Sequence, residues 1–241
     1  MAEVELELDG GLAVITINRP HARNAIAPST MDELDKALGE AADARALAIT
    51  GAGDRAFVSG GDLKELAALR TEEQAVDMAL RMRSVCDRIA AFPGPVVAAL
   101  NGHALGGGAE VAVAADIRVA ADDVRIGFNQ VALAIMPAWG GAERLADLVG
   151  RGRALMLAGS GSVLDAAEAE RLGLLDLVLP RDSFEEGWRS LARSLANGSS
   201  RSIKRVMSGG VSPDEAARAF ARLWVADEHW EAAEKVMNRG R

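Results

Sequence analysis

Apolar and polar positions alternate from the start of the chain. Val4, Leu6 and Leu8 are separated by acids, the period-two pattern of a half-buried strand. Asp9-Gly10-Gly11 supplies a hairpin turn and Leu12–Ile17 the returning strand, which ends at Asn18-Arg19-Pro20. A helix is predicted from Pro28 or Ser29, with Met31, Leu34 and Leu38 on one face. Ala46–Thr50 reads as a buried strand and Phe57-Val58 as a brief one, running into Ser59-Gly60-Gly61-Asp62 and a helix over Leu63–Leu69. Thr71 and Gln74 have capping-box spacing, so a helix should run from there to about Ala91. Val96–Leu100 is a further buried strand, followed by the small, glycine-rich run Asn101–Asp116. Short strands are predicted at Ile117–Ala120, Val124–Phe128 and Leu174–Leu179, with helices to Val149, over Arg151–Ala158, and from Asp165 to the stop at Gly173.

After Asp182 the pattern is helical only. Ser212-Pro213-Asp214-Glu215 combines an N-cap, proline at the first helical position and first-turn acids, and Phe220, Leu223 and Trp224 form an apolar stripe. Strands alternating with helices and then helices alone predict an α/β core over residues 1–181 and a helical region over residues 182–241.

Composition narrows the function. The net charge of −8 argues against a general nucleic-acid or anionic-membrane surface. No apolar run approaches the roughly 20 residues of a membrane span, and the acidic N-terminus does not read as a signal peptide, so a cytoplasmic protein is expected. The single cysteine, Cys86, lies in a helical pattern and is expected to pack inertly. His21, His103 and His229 lie far apart without cysteines, so no metal site is expected. Neither a nucleophile elbow nor a phosphate-binding loop is present.

Two glycine-rich loops remain, Ser59-Gly60-Gly61-Asp62 and Gly106-Gly107-Gly108, each between a predicted strand and a helix. Two such helix starts aimed at one point would offer two backbone N–H groups to one oxygen, which stabilises an enolate or tetrahedral oxyanion. Glu110 sits one turn into the second loop's helix, within reach for proton transfer. The plainer alternative is a pair of unrelated tight turns and a buried, paired glutamate.

Four segments in order carry a specific resemblance: Asn18-Arg19-Pro20 with Asn24-Ala25, Phe57–Leu63, Asn101–Glu110, and Pro137 with Gly140-Gly141. With them the chain resembles the crotonase superfamily of enoyl-CoA hydratases and isomerases. The resemblance implies a spiral of repeated ββα units and a helical C-terminal region that builds homotrimers or dimers of trimers. It implies a CoA thioester as substrate and no cofactor besides. It maps the oxyanion hole onto the N–H groups of Gly61 and Gly107, and CoA contacts onto Ala22, Arg23, Ala25 and the run Ser59, Gly60, Gly61, Asp62, Leu63 and Lys64. Arg23 could pair with a phosphate or simply be a solvated loop arginine. Glu110 matches the first of the two hydratase acids.

Two departures bear on the reaction. The second acid's position is occupied by Gln130, which cannot take or give a proton near neutral pH. Trp139 stands where many hydratases have a small residue, and the run Pro137-Ala138-Trp139-Gly140-Gly141 resembles the ethylmalonyl-CoA decarboxylase branch. Trp139 either walls the acyl pocket or is a core tryptophan beside a helix start. The expectation is an acyl-CoA enzyme of the hydratase/isomerase family with Glu110 as acid/base. A decarboxylase of ethylmalonyl- or methylmalonyl-CoA type is the alternative, and a non-catalytic acyl-CoA-binding protein a further one.

Overall fold

In the computed structural model, which describes residues 2–239, the chain opens with a hairpin. It pairs β1 (Val4–Asp9) antiparallel to β2 (Leu12–Ile17), with Val4 opposite Ile17 and Asp9 opposite Leu12. The helix α1 (Pro28–Glu40) buries Met31, Leu34 and Leu38, the face expected from their spacing.

Three ββα units come next. The first is β3 (Ala46–Gly51) and β4 (Ala56–Val58) with α2 (Leu63–Leu66) and α3 (Glu72–Ala90). The second is β5 (Val96–Leu100), β6 (His103–Leu105) and α4 (Gly107–Ala114). The third is β7 (Ile117–Ala121) and β8 (Arg125–Gly127), a 3₁₀ turn at Gln130–Leu133, and α5 (Gly141–Val149). The chain continues through α6 (Arg151–Ser160), β9 (Val163–Asp165), α7 (Ala166–Arg171) and β10 (Leu177–Leu179). It closes with α8 (Phe184–Leu195), α9 (Gly198–Met207), α10 (Pro213–Trp224) and α11 (Asp227–Arg239).

The first strand of each unit enters a six-stranded sheet of order β1-β2-β3-β5-β7-β10, and the second a four-stranded sheet of order β4-β6-β8-β9. The neighbours β2, β3, β5, β7 and β10 run parallel, which requires a crossover between each. β3 and β5 are buried along their whole length, and both consist of small and aliphatic residues apart from Thr50, the composition of strands covered on both faces. Each turn of the spiral thus places the loop after its short strand at the same end of the molecule. Those loops carry Gly61, Gly107 and Gln130.

Several elements differ from their sequence expectation. The strand expected over Leu174–Leu179 starts only at Leu177, because the N–H groups of Leu174 and Leu175 turn back to the Ala169 carbonyl. The helix expected to reach Leu69 ends at Leu66. The strands β6 and β9 are not among those expected from the pattern. The capping box at Thr71 and Gln74 forms as expected, as does that at Ser212 and Glu215. Phe184, Trp188 and Ala192 of α8 are buried, and α8 lies against β3, β5 and β7. The later helices keep apolar side chains at the surface, among them Ile203, Phe220, Trp224 and Trp230. No helix among the described residues is long and apolar enough to cross a membrane.

Candidate active site

The two glycine loops meet. A methyl group built on Gly60 would lie 3.5 Å from the Gly107 nitrogen. Ile26 forms an isolated bridge with Gly61: its N–H donates to Gly60 O at 2.8 Å, and its carbonyl accepts from Asp62 N at 2.8 Å. The Gly61 N–H therefore points away from that bridge. Gly107 is the first residue of α4, so its N–H has no intrahelical acceptor. Among the described residues neither N–H donates to a backbone carbonyl outside the regular elements or to a side chain.

Glu110 is 2% exposed, on a helix whose eight residues are all buried. Its carboxylate lies at the N-terminus of α5. Oε2 accepts from Trp139 N at 2.7 Å and Gly141 N at 3.0 Å. Oε1 accepts from Gln130 Nε2 at 2.9 Å and, at the longer distance of 3.4 Å, from Ala138 N. Gly141 must be glycine for this approach, since a Cβ there would stand 2.3 Å from Glu110 Cγ. Burial raises the Glu110 pKa above the ordinary glutamate value, and the donations from Gly141, Trp139, Gln130 and Ala138 oppose that rise. Gln130, 6% exposed, keeps its carbonyl oxygen buried and without a hydrogen-bond partner.

Trp139 sits across both loops. A Cβ on Gly107 would come within 2.1 Å of its Cζ3, and one on Gly61 within 3.8 Å of its Cζ2. It is 6% exposed and also lines a cleft of about 350 Å³, so it is both a core tryptophan and a pocket wall. Leu63, Leu66, Met78, Leu133 and Met136 supply the apolar lining, and Glu110 is the one carboxylate in it. A second cleft of about 400 Å³ meets the first at Ser59 and is lined by Arg23, Arg55, His103 and Arg181 with Asp54 and Asp123. A larger cleft of about 670 Å³ between the end of α3 and α9 contains none of these residues. Among the described residues no cluster of three or more His, Cys, Asp or Glu is placed to hold a metal ion.

The model of the enoyl-CoA hydratase/isomerase family matches residues 7–222. The chain belongs to this family. It is 37% identical over 204 residues to a short-chain-enoyl-CoA hydratase of Clostridium acetobutylicum, covering 83% of this chain and 78% of that protein. It is 40% identical over 197 residues to a crotonyl-CoA hydratase of Syntrophomonas wolfei, covering 80% and 75%. The crystal structure of an enoyl-CoA hydratase from Bacillus anthracis superposes with a TM-score of 0.91 at 31% identity, covering 98% of this chain and 96% of that one. The decarboxylase resemblance suggested by Trp139 finds no support in these comparisons.

In this member of the family the residues singled out in the sequence fall into two groups. Gly61, Gly107, Glu110, Gln130 and Trp139 line one cleft, together with Ser59, Gly60 and Leu63. Arg23 lines the adjoining one. Ala22 lies in a 3₁₀ turn beside it, Ala25 is buried, and Lys64 is exposed at the start of α2. The Asp62 carboxylate is occupied otherwise: Oδ1 caps α2 through Lys64 N and Glu65 N, and Oδ2 pairs with Arg19. Arg55, His103 and Arg181 also line that adjoining cleft, and the sequence does not single them out for it. They come from three different segments, and nothing local identifies them as neighbours.

Proposed function

We propose that the protein hydrates short-chain 2-enoyl-CoA thioesters, with Glu110 as its only proton-transfer group. The observation that carries this is the buried, unpaired Gln130 carbonyl oxygen beside the one carboxylate of the cleft. A water between them would donate one hydrogen to Gln130 Oε1 and the other to Glu110. The thioester oxygen is held by the N–H groups of Gly61 and Gly107. As Glu110 takes the proton, the water oxygen bonds to C3 and the C2–C3 π electrons move into the thioester as an enolate. The two N–H groups stabilise that developing charge, each contributing on the order of 3 kcal/mol. The protonated Glu110 then delivers its proton to C2, and H and OH have been added across the double bond. Gln130 positions the water without exchanging protons.

Further support comes from the names of the relatives, a short-chain-enoyl-CoA and a crotonyl-CoA hydratase, and from Trp139, which bounds the acyl space above Gly107. The CoA portion is assigned to the adjoining cleft, with Arg23 and Arg55 toward its phosphates and Ala22, Ala25 and Ser59–Lys64 along its pantetheine arm. No cofactor is invoked, since CoA enters as part of the substrate. The exposed apolar faces of α9, α10 and α11 are assigned to self-assembly as a trimer or dimer of trimers. Isomerisation of a 3-enoyl-CoA uses the same enolate and the same acid, Glu110, with no water. The discriminating experiment is turnover on 2-enoyl- and 3-enoyl-CoA by the purified protein, with products identified by mass spectrometry. Hydration of the 2-enoyl substrate that disappears in Glu110→Gln is expected. Double-bond migration alone would replace hydration by isomerisation.

A further inference from the structure

Arg19 is a buried cation set behind the first glycine loop. It is 4% exposed, and its side chain gathers four partners from three segments. Nη1 donates to Ala25 O at 2.5 Å and lies 3.0 Å from Asp62 Oδ2. Nη2 donates to Glu65 Oε1 at 2.8 Å. Nε lies 3.1 Å from Glu3 Oε1, an ion-pair distance without hydrogen-bond alignment. Glu3 in turn accepts from Ser29 and Thr30 at the start of α1. The backbone of Arg19 is itself fixed, since its N–H donates to Asn24 Oδ1 at 3.0 Å and Asn24 Nδ2 donates to Ala56 O at 2.7 Å.

The placement of these contacts matters more than their number. Ala25 immediately precedes Ile26, and Asp62 immediately follows Gly61. Ile26 and Gly61 are the two residues of the isolated bridge. One guanidinium therefore grips the chain on each side of the single backbone link that orients Gly61. A planar fork with several fixed donors can do this, whereas an ammonium cannot span the same partners with the same geometry. Burial alone would raise the carboxyls of Asp62 and Glu3, yet both are held below their ordinary values, Asp62 by Arg19 and the Glu65 and Lys64 N–H groups, and Glu3 by the Thr30 and Ser29 hydroxyls and the Arg19 charge.

We infer that Arg19 is a positioning residue for catalysis, which fixes the direction of the Gly61 N–H by holding Ala25 and Asp62 on either side of the Ile26–Gly61 bridge. This rests on the assignment of Gly61 as a donor to the thioester oxygen. Arg19 touches neither substrate nor reacting atoms, and the effect reaches the reaction through the direction of one N–H.

The test compares Arg19→Lys and Arg19→Met with the full-length wild type. Three quantities are read: kcat and KM for a 2-enoyl-CoA, the thermal midpoint, and the absorption of a bound aryl-acryloyl-CoA. The conjugated chromophore of that probe shifts to the red when its thioester carbonyl is polarised, whether or not turnover occurs. In Arg19→Lys the shift should shrink and kcat should fall about tenfold to a hundredfold, part of the loss that removing an oxyanion donor causes, with KM within about threefold. In Arg19→Met the shift should be lost. Glu65→Gln, which removes the charge of one exposed partner and leaves the grip on Ala25 and Asp62, should keep the full shift. An undiminished shift in a folded Arg19→Lys or Arg19→Met protein would overturn the inference, as would a loss of kcat accounted for by the unfolded fraction. A wild-type protein that polarises the probe without hydrating 2-enoyl-CoA would contradict the proposed reaction and leave the role of Arg19 standing. No shift in the wild type would remove the oxyanion assignment, and the inference with it.

Discussion

Gln130 donates its amide N–H to Glu110 across 2.9 Å and leaves its own carbonyl oxygen buried without a donor. An ionised Glu110 fixes the amide in that sense, because only the NH₂ end can face a carboxylate. The result is an unpaired acceptor on a residue of the cleft wall, beside a base. Gln130→Leu removes both the support for Glu110 and the acceptor for water. Its hydration rate should fall about tenfold to a hundredfold, with less change in thioester affinity, as expected for a group that orients one reactant. Steady-state kinetics beside equilibrium binding of a saturated acyl-CoA checks this.

The pH dependence of kcat/KM should show one ascending limb. Glu110 must be ionised to take a proton from water, and burial raises its pKa above the ordinary 4.5 despite the N–H donations from Gly141, Trp139, Gln130 and Ala138. Activity should therefore climb through a midpoint above 4.5 and then level off. Gln130→Glu places a second carboxyl where two charges cannot readily coexist, so the midpoint should move to higher pH and the titration should broaden into that of a coupled pair. Stability follows the opposite signs for different groups. Glu110, raised in the folded state, stabilises fully below its unfolded pKa and loses that contribution as pH rises through its folded pKa. Glu3 and Asp62, both lowered, contribute above their unfolded pKa values and lose that contribution as pH falls through their folded ones. Thermal midpoints across pH should show the acid-side loss shrink in Arg19→Met.

Gly107 has no room for a side chain, because a Cβ would meet the Trp139 ring at 2.1 Å. Gly107→Ala should cost about 1–3 kcal/mol by overpacking and depress turnover, since the helix start that carries the N–H must shift. Adding Trp139→Leu opens the space. The double variant should be more stable than the sum of the two single changes implies, because the residues touch. Denaturant titration of all four proteins measures that coupling.

Much of the fold and site is legible in the sequence, and for specific reasons. Gly60-Gly61 and Gly106-Gly107-Gly108 mark close backbone approach by composition alone, and the structure brings the two loops together. Glu110 stands out as an acid inside a small apolar run, and Gln130 is reached only through the family resemblance, as the residue at the second acid's position. The short strands β6 and β9 escape a reading of the pattern because three residues carry too little periodicity to register. Asp62 enters through its position in a motif, and the sequence does not show that its carboxylate caps α2 and pairs with Arg19. The cluster of Arg23, Arg55, His103 and Arg181 is illegible in the sequence because it forms only when separate turns of the spiral stack.

Apolar side chains on the later helices, including Ile203, Phe220, Trp224 and Trp230, remain at the surface of the single chain. Large exposed apolar faces mark interaction surfaces, and self-assembly is the proposed use of these. Sedimentation at micromolar concentration should give a trimer or a dimer of trimers, and Trp224→Glu with Phe220→Glu should shift the species toward monomer. A monomeric wild type would contradict the assembly assigned to these faces.

Glu110, working without a second acid, is expected to hydrate a short 2-enoyl thioester held by Gly61 and Gly107. The most direct measurement is the loss of enoyl absorbance on mixing purified protein with crotonyl-CoA, followed by mass spectrometry of the thioester. Formation of 3-hydroxybutyryl-CoA is expected, with Glu110→Gln folded and slower by about 10²- to 10⁴-fold, the usual worth of a general acid–base. Unchanged crotonyl-CoA in the presence of a folded wild-type protein, or equal rates for wild type and Glu110→Gln, would contradict it.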